Sequence, residues 1–106
     1  LPRGFVRVAS ASEVQPGTVA SFEVGVQRIA VCNVGGRFYA VEDVCTHDGA
    51  SFGQAELDGA EITCPRHGAA FDVRTGAVTR LPAAVPVRTY NVRKRGDDIE
   101  VEMDPD

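Results

Sequence analysis

The sequence predicts an all-β fold, and three observations carry that prediction. Short runs of alternating apolar residues recur along most of the chain. Its 11 Gly and 6 Pro fall between those runs rather than in one linker. No segment sustains a 3.6-residue apolar period. At 106 residues there is room for one domain and one core. A hydrophobic content of 43% and a charged content of 25% place the chain among folded globular sequences rather than disordered ones.

The elements follow in order. Phe5-Val6-Arg7-Val8-Ala9 alternates and predicts a first strand. Ser10-Ala11-Ser12-Glu13 has the form of a capping box, but Pro16-Gly17 ends anything helical within about one turn. Residues 18–24 alternate again, with Val19, Phe22 and Val24 as apolar points. Arg28-Ile29-Ala30-Val31-Cys32-Asn33-Val34 is apolar on both faces and predicts a central strand. Gly35-Gly36 supplies a two-residue hairpin turn, and Arg37-Phe38-Tyr39-Ala40-Val41 returns as its partner. A meander of three or four strands is expected here.

From Glu42 to Pro82 the pieces are shorter. Asp58-Gly59 marks a tight turn before a strand at Glu61-Ile62-Thr63. Phe71-Asp72-Val73 predicts another, turned by Arg74-Thr75-Gly76, and Leu81-Pro82-Ala83-Ala84 a rigid loop. Residues 85–95 and 98–103 then predict a closing hairpin over Gly96-Asp97, with Ile99, Val101 and Met103 on one face. The alternation slips between Val87 and Tyr90, which predicts a bulge there.

Charge excludes some function classes. A net charge of −4 speaks against binding a phosphate backbone, which needs clustered Lys and Arg. The one basic cluster, Arg93-Lys94-Arg95, runs straight into Gly96-Asp97-Asp98 and is expected at a strand end and turn. No apolar run is long enough to cross a bilayer as a helix, so no membrane partner is expected. Leu1-Pro2-Arg3-Gly4 does not resemble a secretory signal, and a cytoplasmic location is the expectation. Three cysteines make no pairwise disulfide framework; near histidines they point to metal ligation or catalysis.

Two of those cysteines and both histidines fall in one stretch. It reads Cys45-Thr46-His47, sixteen residues, then Cys64-Pro65-Arg66-His67. Each pair is followed by small residues closing on an aromatic: Asp48-Gly49-Ala50-Ser51-Phe52 and Gly68-Ala69-Ala70-Phe71. The pattern suggests two similar loops presented to one shared object. A [2Fe–2S] cluster with two thiolates on one iron and two imidazoles on the other needs this set, and the imidazoles raise its potential. A Cys2His2 zinc site is a competitor, though zinc sites usually pair Cys with Cys or group their histidines. A Cys–His nucleophilic pair would not need the pattern twice. Cys32, in an apolar strand, is expected to be a small buried side chain. Asp48 and Arg66 are expected to be loop-surface charges, and Phe52 and Phe71 to pack over the loops and keep water away.

On Cys45-Thr46-His47 and Cys64-Pro65-Arg66-His67-Gly68, with the sixteen-residue spacer and the flanking strands, the chain resembles the Rieske family, specifically the small Rieske-type ferredoxins. The resemblance implies a base of antiparallel sheets forming a sandwich or barrel, from residues 1–41 and 85–106. It implies a loop-rich cluster-binding subdomain inserted at about 42–84. Cys45 and Cys64 would bind the inner iron, and His47 and His67 the outer one. Asp48, Gly49, Arg66, Gly68, Phe71 and the Pro82 loop would surround the cluster. Respiratory and photosynthetic Rieske proteins carry a disulfide between the loops. Ala50 and Arg66 stand at those positions here, so that bridge cannot form. High-potential members also place a Ser and a Tyr where this chain has Ala69 and Phe71; both hydroxyls would stabilise the reduced state. A potential near the low end of the Rieske range, about −150 mV, is therefore expected. An oxygenase's mononuclear iron needs two further histidines and a carboxylate, and this chain has only His47 and His67. The implied role is a non-catalytic electron carrier, a monomer, passing electrons from a flavoprotein reductase to a terminal oxygenase. A Rieske-like small subunit of an assimilatory nitrite reductase is the alternative.

Overall fold

The computed structural model describes residues 4–46, 49–53, 55–81, 83 and 85–103. Eleven strands are found there, in three antiparallel sheets. The first strand, β1 (Gly4–Ser10), is followed by one turn of 3-10 helix at Ala11–Glu13. The Glu13 carboxylate accepts the Ser10 N–H at 2.6 Å, the half of the capping box that faces backward.

Next come β2 (Val19–Val24), β3 (Gln27–Val34) and β4 (Arg37–Glu42), paired in sequence as a meander. β3 is the central strand that its double-faced apolar pattern predicts: Ile29 to Asn33 are all buried. Its alternation divides two cores. Ala30 and Cys32 pack into one, with Val41; Ile29 and Val31 pack into the other, with Ala40. A single strand thus joins the two halves of the molecule through its opposite faces.

The third sheet is a small meander, β5 (Glu56–Asp58), β6 (Glu61–Thr63), β7 (Ala70–Asp72) and β8 (Val78–Arg80). The sequence marks β6 and β7 by Ile62 and Phe71, each fully buried. β5 and β8 carry one half-buried apolar residue each, Leu57 and Val78, too little for a period to register.

The run of residues 85–95 does not form one strand with a bulge. β9 (Thr89–Tyr90) pairs with β4, whereas β10 (Val92–Arg95) pairs with β11 (Asp98–Met103). The chain changes sheets at Asn91, whose carbonyl accepts the Glu102 N–H at 2.9 Å. The slip in alternation has a physical cause: Val87 belongs to one core and Tyr90 to the other. Register shifts fall elsewhere, between Arg7 and Ala9 and between Ala70 and Phe71. The closing hairpin is as expected, with Arg95 opposite Asp98, and β11 pairs on its other side with β1.

Candidate metal centre

The two cysteine loops share one backbone design. In the first, the Cys45 N–H donates to the Ala50 carbonyl at 2.8 Å and the Gly49 N–H to the Cys45 carbonyl at 2.7 Å. In the second, the Cys64 N–H donates to the Ala69 carbonyl at 2.7 Å and the Gly68 N–H to the Cys64 carbonyl at 3.1 Å. Donor and acceptor have the same offsets from cysteine in both. So does the glycine four residues on, which holds φ +78° in each loop. No other atom lies within 4 Å of where a Cβ would sit at either glycine, so the requirement is conformational rather than steric. The second loop is the hairpin loop of β6 and β7, closed by Thr63 opposite Ala70.

The repeat extends into the core. Phe52 and Phe71, each seven residues beyond its cysteine, are fully buried. They meet edge to face, with ring centroids 5.7 Å apart and planes at 78°. Both belong to the core that also holds Cys45, Cys64, Ala69, Ile62 and Val73. The aromatic that closes each loop thus packs against the aromatic that closes the other.

A third segment adjoins the loops. The Thr46 hydroxyl, next to Cys45, donates to the Val85 carbonyl at 2.6 Å. Ala83 is buried against the cysteine core, while Leu81 and Val85 are 77% and 59% exposed. The segment returns to the small sheet where the Val87 N–H donates to the Gly76 carbonyl at 2.9 Å. Gly76 itself ends a turn built on Asp72, whose carboxylate takes Nε of Arg74 at 3.0 Å and the Arg74 N–H at 2.9 Å. Hydrogen bonding by the Arg74 side chain holds the Asp72 carboxyl below the usual carboxylate range.

Of the residues singled out in the sequence, Cys45 and Cys64 are buried, and no disulfide joins them to each other or to Cys32. Arg66 and His67 are exposed, Gly49 is exposed and Gly68 half-buried. His47, Asp48 and Pro82 lie outside the described residues. Cys32 is fully buried, as expected of a core side chain, and burial first, then the Asp43 carboxylate, pushes its thiol up to about 12.

The sequence does not single out Asp43, Thr46 or Ser51. Asp43 is 2% exposed and anchors the first loop: Oδ2 accepts the Ser51 hydroxyl and Oδ1 the Phe52 N–H, both at 2.7 Å. On its other side Nε of Arg28 lies 4.0 Å from Oδ2. An acidic residue after Val41-Glu42 carries no local signal of burial. The matched offsets of Gly, Ala and Phe after each cysteine are the signal that was present.

These features suit a [2Fe–2S] group. Two unbridged thiols sit in one apolar core on loops of equal geometry, while His67, beside the second, reaches the surface. Thiolates inside and imidazoles outside is the distribution that mixed ligation demands.

Comparison with known proteins agrees. The model of the Rieske [2Fe-2S] domain family matches residues 4–91. The ferredoxin component of biphenyl 2,3-dioxygenase from Rhodococcus jostii (strain RHA1) is 40% identical over 98 residues, 92% of each chain. Among solved structures, the ferredoxin of carbazole 1,9a-dioxygenase from Nocardioides aromaticivorans IC177 is 38% identical. It superposes with a TM-score of 0.87, over 92% of this chain and 95% of its own. A chain in the complex of reduced oxygenase and oxidized ferredoxin in carbazole 1,9a-dioxygenase is 41% identical, with a TM-score of 0.85 over 92% of each.

Proposed function

The chain belongs to the Rieske [2Fe–2S] domain family, and from that premise we propose that it is the low-potential ferredoxin of a multicomponent oxygenase. It carries one Rieske-type cluster and acts as an electron carrier rather than as a catalyst. The observation that carries the reading is the pair of matched loops, each placing one buried cysteine in a shared core, with His67 exposed beside the second. Cys45 and Cys64 would hold one iron of the cluster, and His47 and His67 the other. The bound cluster supplies a one-electron couple, neutral when oxidised with neutral imidazoles and one charge more negative when reduced.

The chain's own residues set the conditions for that couple. Phe52 and Phe71 exclude water from beneath the loops. Ala69 and Phe71, both fully buried, offer no hydroxyl where a donor would favour the reduced state, which supports a potential near about −150 mV. The cluster-binding subdomain spans about residues 42–84 and the base 1–41 and 85–106, a division supported by the separate β5–β8 sheet.

The donor is a flavoprotein reductase and the acceptor a terminal oxygenase, a reading supported by the ferredoxin names of the relatives and by the carbazole dioxygenase complex. Docking uses the face around the histidines: Asp48, Arg66 and the Pro82 loop, with exposed Leu81 and Val85 as its apolar part. The chain works as a monomer in the cytoplasm. The nitrite reductase alternative finds no support among these relatives. Visible absorption and EPR of the reduced protein test the reading. A reduced signal with average g below the free-electron value is expected; a colourless protein carrying zinc would overturn it.

A further inference from the structure

We propose that Asp43 is a positioning and potential-setting residue, whose buried negative charge holds the midpoint of the adjacent cluster down. The inference rests on the ferredoxin reading above. Asp43 lies two residues before Cys45, and its carboxylate is buried, with 3% of the side chain exposed. Both oxygens accept from donors of the first loop, the Ser51 hydroxyl and the Phe52 N–H. Ser51 is oriented for that task, because its oxygen accepts the Gly53 N–H at 3.0 Å while its proton goes to Asp43.

Its countercharge is incomplete. Arg28 reaches the carboxylate only at 4.0 Å, and its side chain is 47% exposed, so water screens the guanidinium more than the carboxylate. The stronger tie is structural: an Arg28 Nη donates to the Asp43 carbonyl at 3.0 Å, and the Asp43 N–H to the Arg28 carbonyl at 2.9 Å. A net negative field therefore remains on the inner side. The carboxylate borders the core shared by Cys45 and Cys64, since the Phe52 whose N–H it accepts packs in that core; the Cys32 thiol there is raised by burial and then by Asp43. Any group there that gains negative charge on reduction is disfavoured by the same field. The carboxylate thus does two things at once, fixing the first loop and opposing reduction.

The two roles separate by substitution, with the midpoint potential read by voltammetry on the holoprotein. Asp43→Asn keeps an acceptor for the Phe52 N–H and removes the charge; the midpoint is expected to rise. Arg28→Gln, at a half-exposed site, leaves the carboxylate less compensated, and the midpoint is expected to fall. Ser51→Ala loosens the loop without removing charge, and no rise is expected. An unchanged midpoint in Asp43→Asn, or an equal rise in Ser51→Ala, would show that loop packing alone matters and overturn the proposal. Should Asp43→Asn fail to fold, Arg28→Gln decides: no fall overturns it. The unsubstituted protein's reduced EPR signal separates these outcomes from failure of the ferredoxin reading, which would remove that signal altogether.

Discussion

Gly76 shows what one residue can control in this chain. It holds φ +83°, where side chains with a Cβ are strained, and a Cβ there would collide with the Val87 carbonyl oxygen. The same glycine's carbonyl accepts the Val87 N–H, tying the segment after the cysteine loops to the small sheet. Gly76→Ala is therefore expected to destabilise the protein by at least about 2 kcal/mol, measured by denaturant unfolding. Cys32 makes a second case. Its thiol titrates near 9.0 when unfolded but is pushed up to about 12 by burial and by Asp43. Between those values the folded state keeps a proton that the unfolded state has lost, so stability falls as pH rises. The contribution is present in full below about pH 9, is lost towards pH 12, and amounts to about 4 kcal/mol. Accordingly the native thiol should resist iodoacetamide at pH 9 and react once the chain is unfolded in urea, as read by mass spectrometry.

At the scale of elements, the matched loops are the unit on which function depends. The six-residue span from cysteine to alanine is closed in each by the same two backbone hydrogen bonds, and both are braced by the Phe52–Phe71 contact. Phe52→Ala should cost about 3–5 kcal/mol in the urea unfolding of the holoprotein and speed cluster loss to a chelator. An unchanged unfolding midpoint would show that the contact carries no load. Much of this element was legible in the sequence, because metal ligation demands particular residue types and the loops repeat them. Loop similarity and the buried aromatics could both be read. The Asp43 anchor could not, because its partners Ser51, Phe52 and Arg28 are distant in sequence and only folding brings them together. β5 and β8 were illegible for a related reason. Each is an edge strand of the small sheet with a single half-buried apolar residue, so pairing rather than pattern defines it.

Across the whole molecule, two cores meet at β3. The base core gathers Ile29, Val31, Ala40, Tyr90, Ile99, Val101 and Met103, none of them in a cysteine loop. The other core contains Cys45 and Cys64, the thiols proposed to hold the cluster. The division explains why the passage through Asn91 eluded a reading by alternation: a period of two assumes one core, and residues 87–92 serve both in turn. It also predicts an ordered response to metal removal. A metal that binds only the folded loops stabilises whatever those loops organise. On the proposed ligation, its removal leaves two buried thiols without a metal while β1, β10 and β11 keep every pairing they have. Hydrogen exchange on the chelated protein should therefore show amides of β6 and β7 losing protection by roughly tenfold or more, about 1.4 kcal/mol of opening free energy. Amides of β10 and β11 should change far less. Equal loss in both sheets would mean that β3 couples the two cores into one cooperative unit, and that the cluster stabilises the base as much as the loops that hold it.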